Sequence, residues 1–291
     1  FVELEGVHGI TLRDGRVYLA TPTTVYAAQL FGGVNIGGLE EFVSDLPTGG
    51  QHPNRTVAFG PDGRFYVTVG STCNSCVESD ERNATVQVAR PDGSGLSTFA
   101  RGLRNTIGFG WHPVTGEMWG MDHGSDWRGD DQPPEELNRL VEGADYGWPF
   151  CFGDRRPDPY QAQVPRGATK EEYCALTEPP VLTHQAHAAP IGMVFYTGDA
   201  FPGEYVNDAF VAMRGSWNRT EAVGYEVVRL VFDDAGQPTS FEPFLQGFLI
   251  EDGTAQFGRV AGLLVAADGS LLVAEDQNGV IYRVSYEGGA R

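Results

Sequence analysis

The stretch HPNRTVAFGPDGRFYVTVG, residues 52–70, places an alternating apolar run on each side of a Pro-Asp-Gly turn. Alternation with a period of two marks a strand with one buried face, and a polar Gly-containing turn between two such runs marks a hairpin. The phrase recurs as DGRVYLA at 14–20, HPVTGEMWGMD at 112–122, NDAFVAMRGS at 207–216 and ADGSLLVAEDQNGVIYRV at 267–284. Its anchors Asp14, Asp62, Gly116, Asp208 and Asp268 lie 48, 54, 92 and 60 residues apart. Three of these intervals match one four-stranded propeller blade, and the long one holds an insertion at about 123–186. A further apolar strand precedes each turn, with small residues at equivalent points: Gly9, Ala58, Gly108, Gly192 and Gly262. Strands crowded around a central channel require small side chains there. The sequence therefore predicts an all-β chain, a single β-propeller domain over residues 1–291. Five repeats are visible, forming either a five-bladed ring or a six-bladed ring short of most of its first blade. A β-sandwich does not explain the fixed order of strand, turn and strand.

Composition agrees with many short strands and narrows the partners. The 291 residues include 39 Gly and 18 Pro, and the formal charge is −19. A surface this acidic argues against nucleic acid or an anionic membrane as the main partner. No apolar run reaches the length of a membrane-spanning helix. The one lysine, Lys170, is the only candidate for Schiff-base chemistry. Cys73 and Cys76 form a lone CxxC, and Cys151 and Cys174 flank a Pro- and Arg-rich stretch. Two disulfides suit a periplasmic or secreted protein; free thiols and a metal site are the alternatives. The insertion carries a helix candidate, PPEELNRLVEG at 133–143, with two prolines and two glutamates at its start and Gly143 at its end.

Polar groups gather at equivalent blade positions. His8, His52, Arg55, Arg104, Asn105, His184, His187 and Arg259 stand just before inner strands, and Arg214 ends a strand phrase. Arginines and histidines recurring at one blade position point to an anion or cofactor site; for each one singly, pairing with a carboxylate or a carbonyl is the plainer reading. The segment MDHGSDWRGDDQPPEELN, 121–138, is rich in hard oxygen donors of the kind calcium takes, without EF-hand spacing.

HPNRTVAFGPDGRFYVTVGS, GLRNTIGFGWHP, DHGSDWRGDDQPPEELNRLVEGADYGWP and VIYRV together resemble the soluble pyrroloquinoline-quinone (PQQ) dependent sugar dehydrogenases, in particular the glucose/sorbosone dehydrogenase-like group. The resemblance runs from about residue 7 to 286. It implies a six-bladed propeller carrying PQQ and Ca2+. It implies His52 and Arg104 as catalytic residues, His52 being the general base, with Arg104 and Asn105 beside the quinone and Arg214 and Arg259 as further cofactor contacts. It implies backbone carbonyls of Gly124 and Ser125 on the calcium that polarises PQQ, and Glu136 and Tyr146 at a second, structural calcium. The substrate would be a sugar or sugar aldehyde, and the electrons would pass to an external acceptor such as a cytochrome or a quinone. The chain has Gln51 where the glucose enzymes carry an acidic residue, and HGS where well-known members have HGP. Two rivals are a calcium-dependent sugar lactonase and a non-catalytic scaffold or sugar-binding propeller.

Overall fold

A computed structural model describes residues 2–33, 35–47 and 50–288. Five antiparallel sheets succeed one another along the chain in the arrangement of a five-bladed β-propeller. The first blade contains Gly9–Arg13, Arg16–Ala20, Val25–Phe31 and Glu40–Val43. The second contains Val57–Phe59, Phe65–Val69, Thr85–Ala89 and Ser97–Arg101. Thr106–Trp111, Met118–Asp122, Glu135–Arg139 and Leu182–His184 make the third. Pro190–Phe195, Ala209–Met213, Glu226–Phe232 and Pro238–Leu245 make the fourth. The fifth has three strands among the described residues, Val260–Val265, Leu271–Glu275 and Val280–Val284.

Contacts divide the chain into two compact units. One is Phe1–Ile107 with Leu140–Pro179, and the other is Gly108–Arg139 with Pro180–Arg291. In the first, Tyr18, Phe42, Phe59 and Phe65 meet edge to face and close a core with Val25, Val57 and Val67. In the second, Trp119, Met121, Leu137, Val211 and Met213 form one core cluster, and Tyr196, Phe210, Val260 and Leu271 another.

The small inner-strand residues have the role expected of them in three blades. A Cβ on Gly9 would stand 2.4 Å from the carbonyl oxygen of Arg55. In the second unit, one on Gly108 would stand 2.8 Å from that of Ile191, and one on Gly192 would stand 2.3 Å from that of Ala261. Each oxygen belongs to the start of another blade's first strand, so backbone meets backbone where no side chain fits. Gly262 differs: a Cβ there meets only the Cβ of Ala274, in its own sheet.

The predicted helix over 133–143 is a strand. Glu135–Arg139 pairs with Met118–Asp122 on one side and with Leu182–His184 on the other, Glu136 lying opposite both Asp122 and Thr183. Leu137 is fully buried between these neighbours. The local helix-start signal is outweighed by two rows of interstrand hydrogen bonds and a core position for Leu137. The strand also shortens the insertion. Between the third and fourth strands of this blade runs the segment 140–181, most of which belongs to the first unit. Its α-helix is Lys170–Cys174, capped by Thr169, whose side chain accepts from the Glu172 backbone N–H while the Glu172 carboxylate accepts from that of Thr169.

Both cysteine pairs are disulfides, Cys73–Cys76 and Cys151–Cys174. The second packs with Phe150 and Tyr173 and closes a loop spanning 23 residues. Chain-entropy reasoning gives such a closure about 3 kcal/mol. The Cys151→Ser/Cys174→Ser double variant is expected to lose about that much unfolding free energy in urea titration.

Candidate functional site

His52 stands in the segment that leads into the second blade. Its Nδ1 lies 3.1 Å from the carbonyl oxygen of Ser71 and 2.9 Å from Ser71 Oγ. The Ser71 hydroxyl donates to the carbonyl oxygen of Cys73 at 2.7 Å. A carbonyl oxygen only accepts, and a hydroxyl whose proton is already directed to Cys73 accepts from the ring. Nδ1 is therefore the protonated nitrogen, and in the neutral ring Nε2 carries the lone pair.

The neighbouring blade start brings Arg104 and Asn105 to the same place. The Ser71 backbone N–H donates to the carbonyl oxygen of Arg104 at 2.8 Å. A Cβ on Gly70 would stand 2.6 Å from both Asn105 Oδ1 and the Cβ of His52, so Gly70 lets the two segments close together. Arg104 is 2% exposed. Its Nε donates to the carbonyl oxygen of Asn74 and an Nη to Asn74 Oδ1, both at 2.9 Å. Both of these Asn74 acceptors are neutral.

Arg55 belongs to the scaffold. It is fully buried and donates to the carbonyl oxygens of Pro22, Pro47, His52 and Asn54. Burial pushes its pKa down to about 10. His184 also leaves the predicted set of site donors, because it lies within a strand with its ring against Phe241, and burial lowers its pKa. His187 Nε2 bonds the carbonyl oxygen of Gly129, and His8 Nδ1 bonds that of Arg55.

In the second unit Arg214 and Arg259 are neighbours. Arg214 makes a two-pronged ion pair with Asp276 at 3.0 and 3.2 Å. Arg259 donates to the backbone carbonyls of Arg214 and Gly215 and lies over the ring of Tyr225. Burial, and then the charge of Arg214, lower the pKa of Arg259. An added anion would relieve that repulsion. Glu275 supports the pair from behind, accepting from the backbone N–H groups of Arg259, Gln277 and Asn278. Burial by itself would raise the Glu275 pKa, but those backbone hydrogen bonds outweigh it and leave it lowered. A carboxylate with a lowered folded-state pKa stabilises above its ordinary range and loses that contribution as pH falls through the depressed value. Glu275→Gln is therefore expected to be less stable at neutral pH and to lose less further stability on acidification, as measured by urea midpoints at a series of pH values.

The acidic segment is tied down locally. Asp126 accepts from Asn218, Asp130 from the Thr220 backbone, and Asp131 pairs with Arg219. Glu135 accepts from the backbone N–H groups of Gly124 and Ala189. Its carboxylates form no three-membered ligand cluster among the described residues; the one such group is Cys73, Cys76 and Glu78, with both sulfurs in a disulfide. A Cβ on Gly124 would meet the Pro133 carbonyl oxygen at 2.9 Å, the Pro133 ring at 3.0 Å and the Pro134 carbonyl oxygen at 3.1 Å. Ser125 is buried beside it. Glu136 is nearly buried, with Asn138 Nδ2 on its carboxylate, and the buried Tyr146 hydroxyl accepts from the Val141 backbone. A cavity of about 580 Å³ in the first unit, lined in part by Glu78, Arg101, Asp145, Trp148 and Tyr173, includes neither His52 nor Arg104.

The TrAA12-like family model matches residues 3–287. The chain belongs to the TrAA12-like family. This assignment is coarser than the glucose/sorbosone group that the motifs resemble. A Borreliella burgdorferi protein is 38% identical over 65% of this chain and 48% of its own. The chain spans about half the length of the curated relatives it matches. Among solved structures, the calcium structure of the Trichoderma reesei Carbohydrate-Active Enzymes Family AA12 protein is 22% identical, with a TM-score of 0.84. It covers 97% of this chain and 81% of that one. The holo form of the pyranose dehydrogenase PQQ domain from Coprinopsis cinerea is 20% identical, with a TM-score of 0.78. It covers 98% and 83%. These likenesses establish the fold.

Sequence reasoning missed the residues that hold the candidates in place, namely Ser71, Asn74, Glu275 and Asp276. The signal for two of them lay in SxCNxC at 71–76, directly after a predicted strand. The other two are set by approach across blade five and carry no local pattern.

Proposed function

We propose that this chain is a PQQ-dependent dehydrogenase that oxidises a sugar or sugar aldehyde, with His52 as general base. The observation that carries this reading is the fixed His52 tautomer, which leaves the ring lone pair on Nε2, in a segment joined through Ser71 to the backbone of the buried Arg104. His52 takes the proton of a sugar hydroxyl or of an aldehyde hydrate at Nε2, and Ser71 holds the ring in place while it does so. In the first unit Arg104 would hold a carboxylate of PQQ, with Asn105 as a neutral donor beside it; in the second unit Arg214 and Arg259 would do so as cationic donors. The carbonyls of Gly124 and Ser125 would hold calcium, a hard cation that takes backbone oxygens, and Glu136 and Tyr146 are the proposed ligands for a second, structural calcium. When bound, PQQ supplies the hydride acceptor and calcium the Lewis acid that stabilises charge on it. Electrons leave to an external acceptor such as a cytochrome or a quinone. The two disulfides support a periplasmic or secreted setting, and no helix among the described residues is long and apolar enough to cross a membrane.

Trp127 and Trp217 support a sugar as the substrate. Both are more than half exposed, and they meet edge to face at 5.0 Å. Hydrogen bonds from Asn218 to Asp126 and from Arg219 to the Asp130 carbonyl hold their loops. Such aromatic faces suit the C–H face of a pyranose ring. Titration of the chain with PQQ and calcium should give a stoichiometric quinone absorbance that EDTA removes and sugar bleaches. Absence of binding overturns the proposal. Trp217→Ala is expected to raise KM for the sugar about tenfold, the scale of one aromatic contact, without changing PQQ affinity.

A further inference from the structure

The loop closed by Cys73–Cys76 touches both halves of the His52–Arg104 cluster. Its Asn74 accepts two hydrogen bonds from Arg104, at the carbonyl oxygen and at Oδ1. Its Cys73 carbonyl accepts the Ser71 hydroxyl, which directs the Ser71 lone pair toward His52 Nδ1. The disulfide joins residues on either side of Asn74. Glu78 fastens the base of the loop, accepting from the backbone N–H and the hydroxyl of Thr72 at 2.7 and 2.6 Å. The loop is short, polar and irregular, and without a covalent tie such a segment samples many backbone states.

We infer that the Cys73–Cys76 loop is the positioning clamp of this cluster: Asn74 orients Arg104, and the Cys73 carbonyl, by directing the Ser71 hydroxyl, adds a second acceptor for His52 Nδ1 to that of the Ser71 carbonyl. The two functions separate by atom. Removing the Asn74 side chain deletes the Oδ1 acceptor of Arg104 and leaves the Ser71–Cys73 bond. Removing the Ser71 hydroxyl leaves Arg104 on Asn74 and withdraws one of the two acceptors on Nδ1. Opening the disulfide loosens both. Arg55 donates to the His52 carbonyl, and Glu78 fastens Thr72 at the base of the loop; none of the three variants replaces either residue. The inference rests on the dehydrogenase reading only for the use to which the cluster is put.

The test uses the full chain with Asn74→Ala, Ser71→Ala and Cys73→Ser/Cys76→Ser, each checked for folding by circular dichroism and urea midpoint. NMR of the protein without PQQ follows proton exchange at Arg104 Nε and the titration of the His52 ring. Cys73→Ser/Cys76→Ser is expected to speed Arg104 Nε exchange at least about tenfold and to move the His52 midpoint. Ser71→Ala should move the midpoint alone. With PQQ, Asn74→Ala should raise Kd about tenfold or more, the scale of a hydrogen bond to a charged group. Ser71→Ala should change the pH dependence of kcat and leave Kd alone. Folded variants with unaltered exchange and an unaltered His52 midpoint overturn the clamp. Failure of the parent chain to bind PQQ overturns the dehydrogenase reading, and the NMR measurements then decide the clamp by themselves.

Discussion

His52→Ala is expected to keep parent-like PQQ affinity and to lower turnover by about 10²- to 10⁴-fold, the range for loss of a positioned general base. That corresponds to about 3–5 kcal/mol in the barrier. The separation follows from the geometry. The ring is tied through Nδ1 to Ser71, while Arg104 is held independently by Asn74. Deleting the imidazole removes the proton acceptor and leaves the guanidinium anchored. Calorimetric titration with PQQ, combined with single-turnover bleaching by a sugar, measures the two quantities separately. Turnover equal to the parent's would remove His52 from the chemistry.

Arg55→Met is expected to lower unfolding free energy by about 3–5 kcal/mol, the range for orphaning several buried polar groups at once. The side chain is fully buried, and its donors satisfy carbonyls of Pro22, Pro47, His52 and Asn54. Methionine fills a similar volume and offers no donor, so four acceptors lose a partner together. Because the carbonyl oxygen of Arg55 also lies against Gly9, the first two blades share the loss. Urea unfolding should show a lower midpoint with an unchanged slope. A variant of parent stability that no longer bound PQQ would return Arg55 to the set of cofactor donors, where its sequence position had placed it.

The contrast between Arg55 and Arg104 shows how far residue type and spacing reach. Both precede an inner strand, and both suggested an anion site. Arg55 is enclosed by backbone carbonyls, whereas Arg104 donates to Asn74 in the loop that follows Ser71. The carbonyl of Pro22 lies 33 residues from Arg55 and Asn74 lies 30 from Arg104, and no local pattern encodes either pairing. The same limit explains Glu135–Arg139. Prolines and glutamates announce a helix start, yet strands on both sides impose a period of two and bury Leu137.

Repetition of strand, turn and strand was enough to read an all-β propeller, because the period of two and the turn chemistry are local and recur five times. Gly9, Gly108 and Gly192 were legible for the same reason, since close backbone approach leaves a mark on residue size, whereas Gly262 faces no such backbone. Cysteine count and spacing suggested two disulfides with other outcomes open, and only the folded chain paired them. The protonated nitrogen of His52, the separate fates of the arginines and the grip of Asn74 were decided by tertiary structure. Each depends on a hydrogen bond between segments far apart in the chain, and directional bonds of that kind exist only once the backbone has brought donor and acceptor within reach.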